Sequence, residues 1–231
     1  MSLTQDLMSA ANPEKAPIYQ RFFKTGPGEY GSGDCFLGLT VPQTRGFAKK
    51  HSHLALPQIQ EHLKSKYHEE RLAALLILVE KFNKASEEQK ANIVNFYLKN
   101  TKYVNNWDLV DLSASRILGV FLLDKPKKIL YELANSKDIW EKRISIIATA
   151  AFINKEKFDD TLRISEILLN DTHDLIHKAV GWMLREMGKK NQSVLETFLK
   201  QYYKTMPRTM LRYSIERFPE PLRKQYLKGE I

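Results

Sequence analysis

The stretch "NNWDLVDLSAS", residues 105–115, places a tryptophan and two carboxylates, Trp107, Asp108 and Asp111, where a helix begins. The chain has three tryptophans, and each is followed within one helical turn by a charged residue. Trp107 precedes Asp111, Trp140 precedes Arg143, and Trp182 precedes Arg185. Spacings of three and four put both members of a pair on one helix face. An indole face attracts cationic groups by roughly 0.5–2 kcal/mol, and a fixed carboxylate attracts them through its charge. The chemistry open to such residues is the holding of positive charge. Each also has a plainer reading. Asp108 follows Asn106, a good N-cap, and complements the helix dipole from the first turn. Asp111 lies deeper and gains less from the dipole; a buried salt bridge to an arginine of a neighbouring repeat fits it as well as chemistry does. Trp140 and Trp182 fit ordinary packing, and Arg143 fits repeat stacking.

Other residues offer less. His173 and His177 are spaced for a shared metal, but no third ligand is evident and a surface helix face fits them better, so no metal is expected. His51 and His53 end a helix, where they favour its dipole. "KTGPGEYGSGD", residues 24–34, is glycine-rich but lacks the Lys-Ser/Thr of a phosphate-binding loop and follows no strand. Cys35 is the only cysteine, so no internal disulfide can form, and no nearby histidine marks it as a nucleophile. No lysine is marked as a Schiff-base nucleophile, so lyase chemistry is not expected.

The elements that must carry these residues are helices. Glycine and proline are scarce after residue 57, and apolar residues recur at helical spacing. "HEERLAALLILVEKFNK" predicts a helix over 68–84, and Ser86 caps another over 86–100. Further helices are expected near 107–122, 126–135, 138–153, 158–169, 174–188, 191–204 and 208–217, with "FPEP" at 218–221 breaking the last. No strand is convincing, and 24–34 must be a loop. The segments "YHEERLAALLIL", "IWEKRISIIATA" and "LIHKAVGWMLRE" align, with Arg71, Arg143 and Lys178 recurring at intervals of 72 and 35 residues. Halving the first interval gives a unit of about 36 residues, the signature of paired helices stacked in an α-solenoid. The expected fold is all-α, one domain over residues 1–231 with the 24–34 loop included, curved, with a concave groove.

Charge gives the groove a use. There are 36 Lys and Arg against 27 Asp and Glu, net +9. From His177 onward twelve basic residues face five acidic ones, so +7 of the excess lies in the last quarter. A basic surface attracts polyanions through counterion release, although a solvated basic face that aids solubility reads equally well. No run of eighteen apolar residues suggests a membrane span, and the N-terminus lacks the pattern of a secretory signal. A cytoplasmic monomer with no obligate protein partner is expected.

"NNWDLVD", "WEKR" and "GWMLRE", in that order on helical repeats, resemble the AlkD-type DNA alkylation-repair glycosylases, and the resemblance spans nearly the whole chain. That family folds as a curved stack of HEAT-like repeats. The resemblance implies an N-glycosylase, without a cofactor, acting on duplex DNA that carries purines alkylated at N3 or N7, without flipping the base. It maps the essential aspartate onto Asp111, the motif tryptophans onto Trp107 and Trp182, and the arginine of "WxxR" onto Arg143. Arg185 becomes a backbone contact, with Lys178, Lys189 and Lys190 as further phosphate ligands. An N-terminal aromatic of the family falls on Tyr30 or Phe23. The rivals are a non-catalytic HEAT-repeat relative that binds damaged or branched DNA, and a protein-binding HEAT scaffold.

Overall fold

Residue choice at the helix starts sets the architecture. In the computed structural model, which describes residues 2–231, the chain divides into two compact units, one ending at Ser113 and one running from Ala114 to Ile231. The first unit holds α1 (Leu3–Ser9), α2 (Ala16–Phe22), α3 (Val41–Lys50), α4 (Leu56–Leu63), α5 (His68–Lys84), α6 (Glu87–Lys99) and α7 (Trp107–Ala114), whose last residue crosses the division. Ser2 and Gln5 close a capping box on α1, and Ser86 and Gln89 close one on α6. Gln43 and Gln58 reach back to the backbone N–H groups of Thr40 and Ala55, 2.9 Å in each case.

The apolar middle of α5 is buried on nearly every side and packs against α3 and α4. Its first turn is unusual, because His68, Glu69, Glu70 and Arg71 are all buried. Buried charges persist only when paired and hydrogen-bonded. Glu69 accepts the N–H groups of Leu37, Gly38 and Leu39 at 2.9, 2.8 and 3.1 Å. Glu70 accepts from the Thr4 and Ser65 hydroxyls and meets His62 Nδ1 at 2.7 Å. Burial alone would raise the Glu70 carboxyl, but these bonds hold it below the usual range. The start of α5 is thus the clasp that ties the N-terminal segments down.

The second unit opens with a π-helical turn, Ser115–Gly119, and continues through α8 (Lys128–Ala134), α9 (Ile139–Ala148), α10 (Ala150–Ile153), α11 (Asp159–Ile167), α12 (Asp174–Lys190), α13 (Gln192–Tyr202), α14 (Arg208–Ser214) and α15 (Glu220–Lys228). Its core is α12, packed against α9, α13 and, most extensively, α14. The helix expected over 107–122 changes pitch at Ser115, and the one expected over 138–153 is interrupted at Thr149, whose hydroxyl donates to the Ile146 carbonyl at 2.7 Å. The helix expected over 208–217 ends earlier, at Ser214, and "FPEP" starts the next one, because Pro219 stands at the cap and Pro221 in the first turn of α15. Among the described residues there is no strand; Cys35 and Tyr67 form one isolated bridge. No helix among the described residues is long and apolar enough to cross a membrane.

Gly181 marks a close approach of α12 to α14. A Cβ there would stand 2.6 Å from the Met210 carbonyl oxygen and 2.5 Å from Tyr213 Cβ. Gly181→Ala should therefore cost about 1–3 kcal/mol by overpacking, read as a lowered Tm; an unchanged Tm would mean that the two helices separate freely.

Candidate functional site

The N-terminus of α7 is held by a cluster of buried charges. Asn106 Oδ1 accepts the Trp107 N–H at 2.8 Å, and Asp108 Oδ1 accepts the Leu109 N–H at 2.9 Å. The other Asp108 oxygen accepts from His68 Nε2 at 2.8 Å. His68 Nδ1 donates to Asp34 at 3.0 Å, and Asp34 also accepts from Arg71 at 2.6 Å and from Asn106 at 3.3 Å. Asp108 is therefore more than a dipole partner, and Arg71 is an ion-pair partner of the segment that closes the glycine-rich loop. Burial would lower the His68 pKa, but the Asp108 charge and bonds to both aspartates outweigh it and raise it to about 9. Burial likewise opposes ionisation of Asp34, and His68 and Arg71 overcome it, leaving Asp34 below its ordinary value. His68 is thus an imidazolium between two carboxylates.

Rings continue outward from it. His68 stacks on Phe36 (centroids 4.5 Å apart, 20°), Phe36 on Phe23 (4.9 Å, 25°), and Phe23 on Trp107 (5.0 Å, 10°). Phe22 meets Trp107 edge-on at 5.9 Å and is 63% exposed. Tyr19, Phe23, Phe36, Val41, His68 and Asp108 are among the residues lining a cleft of about 260 Å³. Of the two alternatives for the N-terminal aromatic, Phe23 stacks directly on Trp107. Tyr30 is partly exposed in the turns between α2 and α3. Phe22, the aromatic most open to solvent beside Trp107, was not among the sequence candidates; its only signal was its position next to Phe23. Gly31 keeps this segment tight, since a Cβ there would stand 2.4 Å from the Phe23 carbonyl oxygen. Asp111 follows Trp107 by one turn and is partly exposed. The Tyr97 hydroxyl, 3.0 Å from Ser113 Oγ, has its pKa pushed up, first by burial and further by the Asp111 charge.

The other candidates lie in the second unit. Arg143 is buried and donates to the Leu175 carbonyl at 2.6 Å. Trp140 is buried, its N–H held by the cap residue Asp138 at 2.7 Å, as the packing reading expects. Trp182 is partly exposed and donates its indole N–H to Glu186 at 3.2 Å. It lines a cleft of about 320 Å³ together with Asn154, Glu186, Lys189 and Lys190. Glu186 also binds Lys189 at 2.7 Å and Arg185 at 3.3 Å, and Arg185 makes a second ion pair with Glu216. Lys178 pairs with Asp174 at 2.6 Å. His173 caps α12 by accepting the Leu175 N–H, and His177 donates to the Asp171 carbonyl. No cluster of three metal-ligating side chains occurs among the described residues. His51, buried, pairs with Asp6 at 2.7 Å.

A sequence model of the DNA alkylation repair enzyme family matches residues 3–218. The chain belongs to that family. No similar sequence is found among curated proteins. In fold this family member is similar to a solved structure described as a predicted DNA alkylation repair enzyme from Enterococcus faecalis. The identity is 19% and the TM-score 0.71, with 91% of this chain and 97% of the other covered.

Proposed function

We propose that the protein is an AlkD-type DNA glycosylase that removes N3- or N7-alkylated purines from duplex DNA by hydrolysis, without flipping the base. This reading includes the HEAT-like stacking of helix pairs and the basic groove implied by the family resemblance. The observation that supports it most is the arrangement on α7: Trp107, flanked by Phe22 and Phe23, with the partly exposed Asp111 one turn further on.

The chemistry follows from the substrate. Alkylation at N3 or N7 makes the purine cationic and already a good leaving group, so little acid catalysis is needed. Positive charge then grows on the deoxyribose as the glycosidic bond breaks. The Asp111 carboxylate stabilises that charge and orients the attacking water. The face of Trp107 packs against the sugar, where its quadrupole favours the same charge; the family resemblance assigns the same part to Trp182, while Arg143, buried on the Leu175 carbonyl, acts from behind the surface and not on the lesion itself. Arg185, Tyr30, Lys178, Lys189 and Lys190 hold the DNA backbone. Measuring 3-methyladenine and 7-methylguanine released from methylated duplex DNA tests the reading. Tight binding with no release would favour the non-catalytic DNA-binding alternative.

Arg185 must trade one partner for a phosphate, and Glu216 is the more exposed of its two carboxylates. Arg185→Ala should weaken duplex binding similarly across sequences and flatten the salt slope by about one unit. Glu216→Gln, which removes one of the two carboxylates that bind the guanidinium, should tighten binding severalfold at low salt. Salt titrations of both variants check this; two unchanged slopes would remove Arg185 from the phosphate contacts.

A further inference from the structure

We propose that His68 is a positioning residue for the base-release reaction, holding Trp107 and the first turn of α7 in one orientation through its two aspartates and its ring stack. The inference rests on the glycosylase reading. His68 is 1% exposed, so it touches no DNA and acts only through its neighbours. Its two N–H groups end on carboxylates from separate segments: Asp34 closes the glycine-rich loop, and Asp108 stands next to Trp107 and three residues before Asp111. Its ring face supports Phe36 and Phe23, and Phe23 lies flat on Trp107. One side chain therefore sets both the backbone that carries Trp107 and Asp111 and the ring on which Trp107 rests. A turn of α7 about its axis would displace the indole and the carboxylate together, and a slide of Phe23 would displace the indole.

Stability alone does not account for the cluster. Apolar residues of the same volume commonly stabilise a core as well as a buried ion cluster does. This cluster also leaves the buried Arg71 Nε without an acceptor. What charged, directional bonds add over apolar contacts is a fixed angle, and the groups whose angle they fix are those assigned to the lesion.

The test compares wild type with His68→Gln, which keeps a donor but lacks the cation and the ring. Three quantities are read per folded molecule: affinity for methylated duplex, single-turnover base release at saturating enzyme, and acrylamide quenching of Trp107 in a Trp140→Phe, Trp182→Phe background. The expected result is affinity within about threefold, release slowed about ten- to a hundredfold, and Trp107 more readily quenched. Unchanged release per folded molecule with unchanged quenching would reduce His68 to a structural residue and overturn the proposal. If His68→Gln does not fold, His68→Phe combined with Asp108→Asn retains a ring on the stack and removes one charge of each sign. It should show the same slowed release, and wild-type release from it would equally overturn the proposal. If the wild type releases no base, the glycosylase reading fails on its own. The quenching comparison then decides whether His68 orients Trp107.

Discussion

Asp111→Asn should slow release of 7-methylguanine from methylated duplex DNA at least about a hundredfold, the scale on which removal of one preorganised electrostatic contact is felt. Duplex affinity should stay within about threefold, and Tm should change little. The substitution is nearly isosteric and removes only charge. Ground-state binding of the duplex depends on cations and phosphates, whereas the carboxylate matters most as positive charge develops on the sugar. Asp111 is partly exposed and lies beyond the first turn of α7, and its amide form keeps the side chain's size and an oxygen that accepts. Release undiminished beside the wild type would sink its assignment. A loss of release matched by a loss of folded protein would move Asp111 to the structural side of the motif. Asp108, three residues earlier, serves as the internal contrast: it is buried on His68, and its loss should register in stability first.

The helices were legible because their cause is local. The apolar period of "HEERLAALLILVEKFNK" and the cap at Ser86 match α5 and the start of α6. The pitch change at Ser115 and the break at Thr149 have no such local signal, since apolar spacing continues through both. The chemistry-bearing residues of the "NNWDLVD" motif could be named from type and spacing, but what supports them could not. His68 meets Asp34 and Asp108 across 34 and 40 residues, and Arg185 meets Glu216 across 31. No helical period reports contacts that exist only once loops have closed. Whether Phe22 or Phe23 faces solvent depends on where α2 ends, and a sequence reading places that boundary only to within a few residues.

Titration of the cluster should appear as a pH-dependent stability that a single variant removes. His68 titrates near 6.5 in an unfolded chain and at about 9 in the fold. Its ion pairs therefore contribute in full below pH 6.5 and are lost as the pH rises through about 9. The alkaline loss should be on the order of 3 kcal/mol, because each unit of raised pKa is worth about 1.4 kcal/mol. Asp34 works in the opposite sense: its depressed pKa contributes above its ordinary value of 3.8 and is lost as the pH falls below it. Tm should thus hold a plateau between the ordinary aspartate value of 3.8 and about pH 6.5, and fall on both sides. His68→Gln should be less stable at pH 6 and should lack the part of the alkaline fall that runs from about pH 6.5 to about 9. Asp34→Ala should cost about 3–5 kcal/mol at pH 7, since it strands His68 and Arg71 with one carboxylate between them. The groups facing the imidazolium are Asp34, Asp108 and Arg71. A wild-type alkaline limb that His68→Gln leaves unaltered would show that the imidazole is neutral in the fold and that the cluster is held by Arg71 alone.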